Sequence, residues 1–190
     1  MSVSRRYTVA ELEQIEPKDG ERYEVINGEL YVAHAPSWHH QYASSRVWRA
    51  LDAWSEATRA GLAHEASGII FNALDGVIPD VIWMSVERMA VGTDAAGHFT
   101  IAPELVVEVL SPGIGNERRD REVKLALYSA QDITEYWIVD IRQRAVLVYR
   151  RLGDRLALAV TASSGDTVES PLLPGFVLPV DRLWAPDWLR

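Results

Sequence analysis

Two acids stand where acids are costly. Glu108 lies inside "ELVVEVLSP" (104–112), flanked by Leu105, Val106, Val107, Val109 and Leu110. That run of mostly β-branched residues has the character of a strand buried on both faces. An ionised carboxylate at its centre costs on the order of several kcal/mol unless something compensates it. Asp80 interrupts "VIPDVIWM" (77–84) in the same way, directly after Pro79. Proline suits a strand start or an edge. Two neighbouring strands that bring their carboxylates together create repulsion, and one acid is protonated unless a cation stands between them. A divalent metal resolves both difficulties. Hard ions such as magnesium take oxygen ligands, often one or two carboxylates completed by waters and phosphate oxygens. The backbone carbonyl of Val109 could add another oxygen.

The next amphipathic segment, "NERRDREVKLALYSAQ" (116–131), supplies cations. Val123, Ala126, Leu127 and Ala130 follow helical spacing and predict the buried stripe. Asp120 and Lys124 lie one turn apart on one side. A lysine reaching the strand ends would orient an attacking water or stabilise charge on a phosphoryl group. Arg118, Arg119 and Arg121 cluster nearby and could meet phosphates. Each residue also has a plainer reading. Asp80 could be a strand-end turn residue, and Glu108 could pair with a helix arginine. Lys124 could be a solvated position paired with Asp120.

These side chains need a frame. "YTVAELEQI" (7–15) predicts a short helix with Thr8 as N-cap and Glu11 completing a capping box. "RYEVINGELYVA" (22–33) predicts a hairpin turning at Asn27-Gly28. Alternation puts Glu24, Ile26, Glu29 and Tyr31 on one of its faces. A long helix is expected over 38–59. Strands are expected at 64–73, 77–84 and 104–111, then at 134–141, 145–152 and 155–162. The Pro/Gly-rich tail "SPLLPGFVLPVDRLW" closes the pattern. Trp48, Trp83 and Trp137 fall inside regular elements, which favours packing over base stacking.

A chain of 190 residues, 48% hydrophobic, can bury one full core. No repeat or linker divides it, so a single α/β domain over 1–190 is expected. It has no cysteine, which excludes disulfides and thiolate zinc sites and suits a reducing compartment. No apolar signal segment or membrane span is present, so a cytoplasmic location is expected. The net charge of −8 argues against broad coating of nucleic acid, though not against a local basic groove.

Taken together, "PD" (79–80), "ELVVEVLSP", "RDREVKLALY" (119–128) and "EYWIVD" (135–140) resemble the PD-(D/E)XK nuclease superfamily. With "RYEVINGEL" and "PLLPGF" added, the chain is similar to the Uma-two family of restriction-endonuclease-like proteins from about Tyr7 to Leu183. The resemblance implies a mixed-sheet core of helix, three strands, helix and strand over about 38–140, with the N-terminal hairpin and C-terminal strands added. It implies Asp80 and Glu108 as ligands of magnesium, with manganese able to substitute. The superfamily lysine stands two residues after the acid, where this chain has Leu110. Lys124 resembles the migrated lysine of the family. His40 and Gln41 match its His-Gln pair, and Glu24 and Glu29 match its two hairpin glutamates.

Two functions fit. One is a magnesium-dependent endonuclease cleaving DNA. The other is a catalytically weak nuclease-fold protein that binds nucleic acid or assembles with copies of itself. The apolar tail further suggests a homodimer, whose two-fold axis would match that of duplex DNA.

Overall fold

The computed structural model describes residues 5–186 other than 17 and 19, together with residue 188. The extreme ends of the expected 1–190 unit lie outside the described residues. The chain begins with α1 (Val9–Leu12), shorter than expected but capped as expected. Thr8 accepts from the Glu11 N–H, and the Glu11 carboxylate accepts from the Thr8 N–H. The hairpin follows as β1 (Arg22–Ile26) and β2 (Glu29–Ala33). Asn27 and Gly28 both take positive φ, 52° and 77°, as the tight turn requires.

Helix α2 (Trp38–Thr58) starts at the N-cap Ser37. It leads into β3 (Gly61–Glu65), β4 (Ile69–Asn72), β5 (Asp75–Val77) and β6 (Val81–Ser85). The sequence pattern predicts two strands over 64–84, and the structure divides each of them. Ala66 takes φ 48°, which bends the chain between β3 and β4. Pro79 has no N–H to give a ladder, and it falls between β5 and β6. The two breaks sit side by side, with the Ala66 N–H donating to the Asp80 carbonyl at 3.1 Å. As a result β4 and β5 leave the main sheet and join the hairpin in a four-stranded sheet of order β2-β1-β5-β4.

After α3 (Val86–Met89) come β7 (Leu105–Val109) and a helical rod, then β8 (Glu135–Asp140), β9 (Ala145–Leu152) and β10 (Arg155–Ala162). The rod comprises α4 (Ile114–Arg118), a π-helical turn (Arg119–Lys124) and α5 (Leu125–Ala130). The main sheet has six strands in the order β10-β9-β8-β7-β6-β3. Only β7 and β8 pair in parallel, so the sheet is mixed.

Alternation sends the two faces of this sheet to two cores. Val81, Trp83, Val107, Val109, Trp137 and Val139 pack against α2 and the tail. Ile82, Val106, Leu110 and Ile138 pack against the rod and the hairpin sheet. Tryptophans dock α2: the indole of Trp48 donates to the Ala63 carbonyl, and that of Trp83 to Ser55 Oγ at 2.9 Å. The tail forms β11 (Thr167–Glu169), β12 (Val177–Pro179) and a 3₁₀ turn (Val180–Leu183). Its Leu173, Phe176, Leu178, Val180 and Leu183 are buried in the α2-side core. Those five side chains pack on the chain itself, whereas Val177 and Trp188 of the tail and Val32 of the hairpin are exposed. Among the described residues no helix is long and apolar enough to cross a membrane.

Candidate active site

β6 and β7 run antiparallel with Val81 opposite Val107, which sets Asp80 beside Glu108 at one end of the sheet. The Val109 N–H fixes the Asp80 carboxylate, donating to Oδ2 at 2.8 Å. Glu108 shares the face of Val106 and Leu110 and therefore points at the rod. There its Oε1 meets the Lys124 ammonium at 2.8 Å and accepts from the Tyr128 hydroxyl at 2.9 Å.

The rod explains why Lys124 is inside. An α-helix would bury the stripe of Val123, Ala126, Leu127 and Ala130. The structure instead leaves Ala126 and Ala130 exposed and buries Arg119, Asp120, Lys124, Leu127 and Tyr128. Asp120, Lys124, Leu127 and Tyr128 share one helical face by their spacing, and the π turn falls on its charged part; such turns recur at functional sites. Lys124 is 1% exposed, so the solvated reading does not hold.

The hairpin completes the enclosure. Glu24 on β1 is buried, and its Oε1 lies 2.9 Å from Lys124 Nζ while accepting from the Ile78 N–H at 2.8 Å. From the opposite layer His40, in the first turn of α2, places Nε2 3.1 Å from Asp80 Oδ2. Its Nδ1 is buried without a partner among the described residues. Asp120 is buried against the Arg119 guanidinium at 2.9 Å, and its carbonyl accepts from the Tyr136 hydroxyl.

Glu24, His40, Asp80, Glu108, Arg119 and Lys124 thus line one cleft of about 40 Å³. That is room for about two or three waters, or for a cation with part of its shell. Gln41 and Glu29 are both exposed and do not line this cleft. The three arginines diverge instead of forming a patch. Arg118 is exposed and pairs with Glu122 one turn on, whereas Arg121 pairs with Asp140. Only Arg119 faces the cleft.

Electrostatics separate the two acids. Burial alone would raise Asp80, but the His40 contact and the Val109 N–H bring its pKa below the usual carboxylate value. Glu108 is dominated by burial, which lifts it to about 8 despite the attraction of Lys124; Asp80 and Asp120 push in the same direction as burial. Glu108, Glu24 and Asp120 hold the Lys124 ammonium well above its ordinary value against the desolvation that opposes it.

A divalent cation suits this donor set. Among the described residues the hydrogen bonds to the Glu108 carboxylate fall on Oε1 and the polar contacts of the Asp80 carboxylate on Oδ2. Glu108 Oε2 and Asp80 Oδ1 have no such partner there, and both side chains line the cleft. Among the described residues no group of three or more His, Asp or Glu is arranged around a metal position. Two carboxylates completed by water and phosphate oxygens is a magnesium-like set and a poor zinc set.

A mixed sheet flanked by helices defines an α/β fold, with an acid pair and a buried lysine at one end of the sheet. A comparison with solved structures agrees. A protein from Anabaena variabilis described as "a putative nuclease belonging to DUF820" matches with a TM-score of 0.73, over 93% of this chain and 96% of that one, at 18% identity. The family model "Uma2: Putative restriction endonuclease" matches residues 9–181, and the chain belongs to that family. No curated protein matches the sequence.

Most of the site was legible as candidates. Sequence reasoning missed Tyr128 and Tyr136, which the helical and strand patterns present as ordinary aromatics. The only signal for Tyr128 was its position four residues after Lys124.

Proposed function

We propose that this protein is a divalent-metal-dependent endonuclease that hydrolyses phosphodiester bonds in DNA within the cytoplasm. Asp80 and Glu108 would hold magnesium, or manganese in its place, through the oxygens that face the cleft. The metal would supply Lewis-acid polarisation of the phosphoryl oxygen and lower the pKa of bound water. The observation that carries this reading is a fully buried lysine whose ammonium lies 2.8 Å from Glu108, the acid that the strand register sets beside Asp80.

The chain's own groups divide the remaining work. His40 and the Val109 N–H clamp one oxygen of Asp80 and leave the other directed at the cleft. Glu24 and Tyr128 fix Lys124 and Glu108 from the two sides. The Lys124 ammonium would stabilise charge on the phosphoryl group, and Arg119 at the cleft wall would meet a non-bridging oxygen. Water adds to phosphorus and one ester P–O bond breaks, leaving a phosphate monoester and a free hydroxyl.

A specific observation favours the second reading, a catalytically weak or inactive nuclease-fold protein acting as a nucleic-acid-binding or oligomeric assembly module. Each of Arg118, Arg119 and Arg121 is already paired with an acid of this chain, which leaves less free positive charge for a scissile phosphate and suits the assembly role. Plasmid and linear DNA incubated with magnesium or manganese separate the two. Cleavage by the wild type, lost in Asp80→Asn and in Glu108→Gln, is the expected result. Cleavage that survives both substitutions would assign the activity elsewhere, and none in any metal would favour the binding module.

A further inference from the structure

Helix α2 begins with two residues that the catalytic cleft does not use. Trp38 is 54% exposed, and its ring lies on the His39 imidazole with centroids 3.7 Å apart and planes 26° apart. Two other tryptophans of the same helix, Trp48 and Trp54, give their indole N–H groups to backbone carbonyls. A large aromatic surface left in water forgoes much of the burial that usually accounts for tryptophan.

This ring borders a depression of about 130 Å³, whose other wall is Ile141, Arg144, Leu183 and Trp184. The depression lies near the catalytic cleft. Ser111, three residues after Glu108, lines both the cleft and a neighbouring apolar hollow. His39 and Ile141 line both that hollow and the Trp38 depression. A strand with its phosphate at the cleft would pass Ser111 and His39 on the way to Trp38.

A second observation is independent of the ring. Arg144 Nε and Trp184 Nε1 are buried donors with no acceptor among the described residues. The Arg144 guanidinium lies over the Trp184 ring, 5.8 Å from its centroid. Both residues line the depression, and a buried donor without an acceptor calls for one, so a small side-chain shift would offer these N–H groups to an occupant. Base carbonyls and phosphate oxygens are such acceptors. An exposed aromatic, a guanidinium and unmet donors together are the elements of a stacking site for single-stranded nucleic acid. A base inside a duplex has both faces covered by its neighbours and cannot stack on Trp38.

We infer that the Trp38–Trp184 depression holds an unpaired nucleobase of the substrate strand, so the DNA acted on carries a single-stranded segment beside the scissile bond. This inference rests on the nuclease reading for its position relative to the cleavage site, but the base contact can be tested separately.

The test is fluorescence anisotropy with labelled dodecathymidylate and a blunt duplex, in EDTA so that no cleavage intervenes. Wild type should bind the single strand more tightly than the duplex, with quenching of tryptophan emission. Trp38→Ala should weaken the single strand by roughly fivefold or more, while Trp38→Phe, which keeps a ring, stays near wild type. Duplex affinity should not respond to either change. Trp38 is exposed, and melting curves of the two variants guard against a folding defect. Equal affinity of wild type and Trp38→Ala for the single strand, or preference of wild type for the duplex, overturns the inference. Trp38-dependent binding with no cleavage in magnesium or manganese sinks the nuclease reading and leaves the base site standing. Cleavage by a wild type whose single-strand affinity is indifferent to Trp38 does the reverse.

Discussion

Lys124 sits between two buried carboxylates, at 2.9 Å from Glu24 and 2.8 Å from Glu108. Removing its charge leaves Glu24 without its buried counter-charge and pushes Glu108 further towards its neutral form. Breaking a buried pair in this way costs about 3–5 kcal/mol. Lys124→Met should therefore lower unfolding free energy by about that amount in urea titrations, beyond any loss of activity; a loss under about 1 kcal/mol would mean that the carboxylates already have other counter-charges. Glu108 presents the opposite case. Burial lifts its pKa to about 8, so the metal-free protein carries it largely neutral at pH 7. Glutamine imitates that neutral acid. Glu108→Gln should melt within a few degrees of wild type without metal, yet lose cleavage by at least about a hundredfold. Wild type should gain thermal stability in millimolar magnesium or manganese, because a ligand that binds only the folded state stabilises it by mass action. That gain should vanish in Asp80→Asn and Glu108→Gln, and an equal shift in all three proteins would refute a site at these acids.

At the scale of elements, the rod must stay helical through the π turn for Asp120, Lys124, Leu127 and Tyr128 to share one buried face. The turn spans Arg119–Lys124, and Glu122 within it is exposed. Glu122→Pro removes a helix N–H and crowds the preceding turn. It should abolish cleavage and lower the melting temperature by several degrees, whereas Glu122→Ala, which keeps the helix, should do neither. The docking of α2 can be tested in the same spirit. Trp83 Nε1 donates to Ser55 Oγ at 2.9 Å, and both residues are buried. Ser55→Ala leaves the indole N–H unsatisfied and should cost about 1–3 kcal/mol in urea titrations.

At the scale of the molecule, two sheets and two helical layers meet at the cleft. The hairpin lies outside the helix–strand nuclease core, yet it supplies Glu24 and closes one side of the site. Truncating the chain before α2 should therefore remove activity as well as apolar cover. Of the tail, Leu173, Phe176 and Leu178 lie inside the α2-side core, whereas Val177 and Trp188 stay exposed, as does Val32 of the hairpin. We propose that these exposed side chains serve a two-fold contact between copies. Light scattering at micromolar concentration should return twice the 21.3 kDa of one chain, and a mass near 21.3 kDa would end the dimer proposal.

Local pattern alone sufficed for much of this. The Asn27-Gly28 turn, the Thr8–Glu11 capping box and the buried strand around Glu108 are short-range features, and each formed where the sequence pointed. The acids at 80 and 108 stood out because a charge in an apolar run is costly wherever it lies. Other features depend on groups distant in sequence. The division of 64–84 into strands of two sheets follows from Ala66 and Pro79 breaking side by side, which is visible only once the strands pair. Which face of the rod is buried is not announced by its apolar period, because that face carries Arg119, Asp120 and Lys124. Burying Lys124 is tolerable only when Glu24 arrives from a hairpin 100 positions earlier and Glu108 from the adjoining strand. Sequence periodicity records whether a face is apolar, whereas compensation between buried charges is settled only by the tertiary structure that brings them within reach.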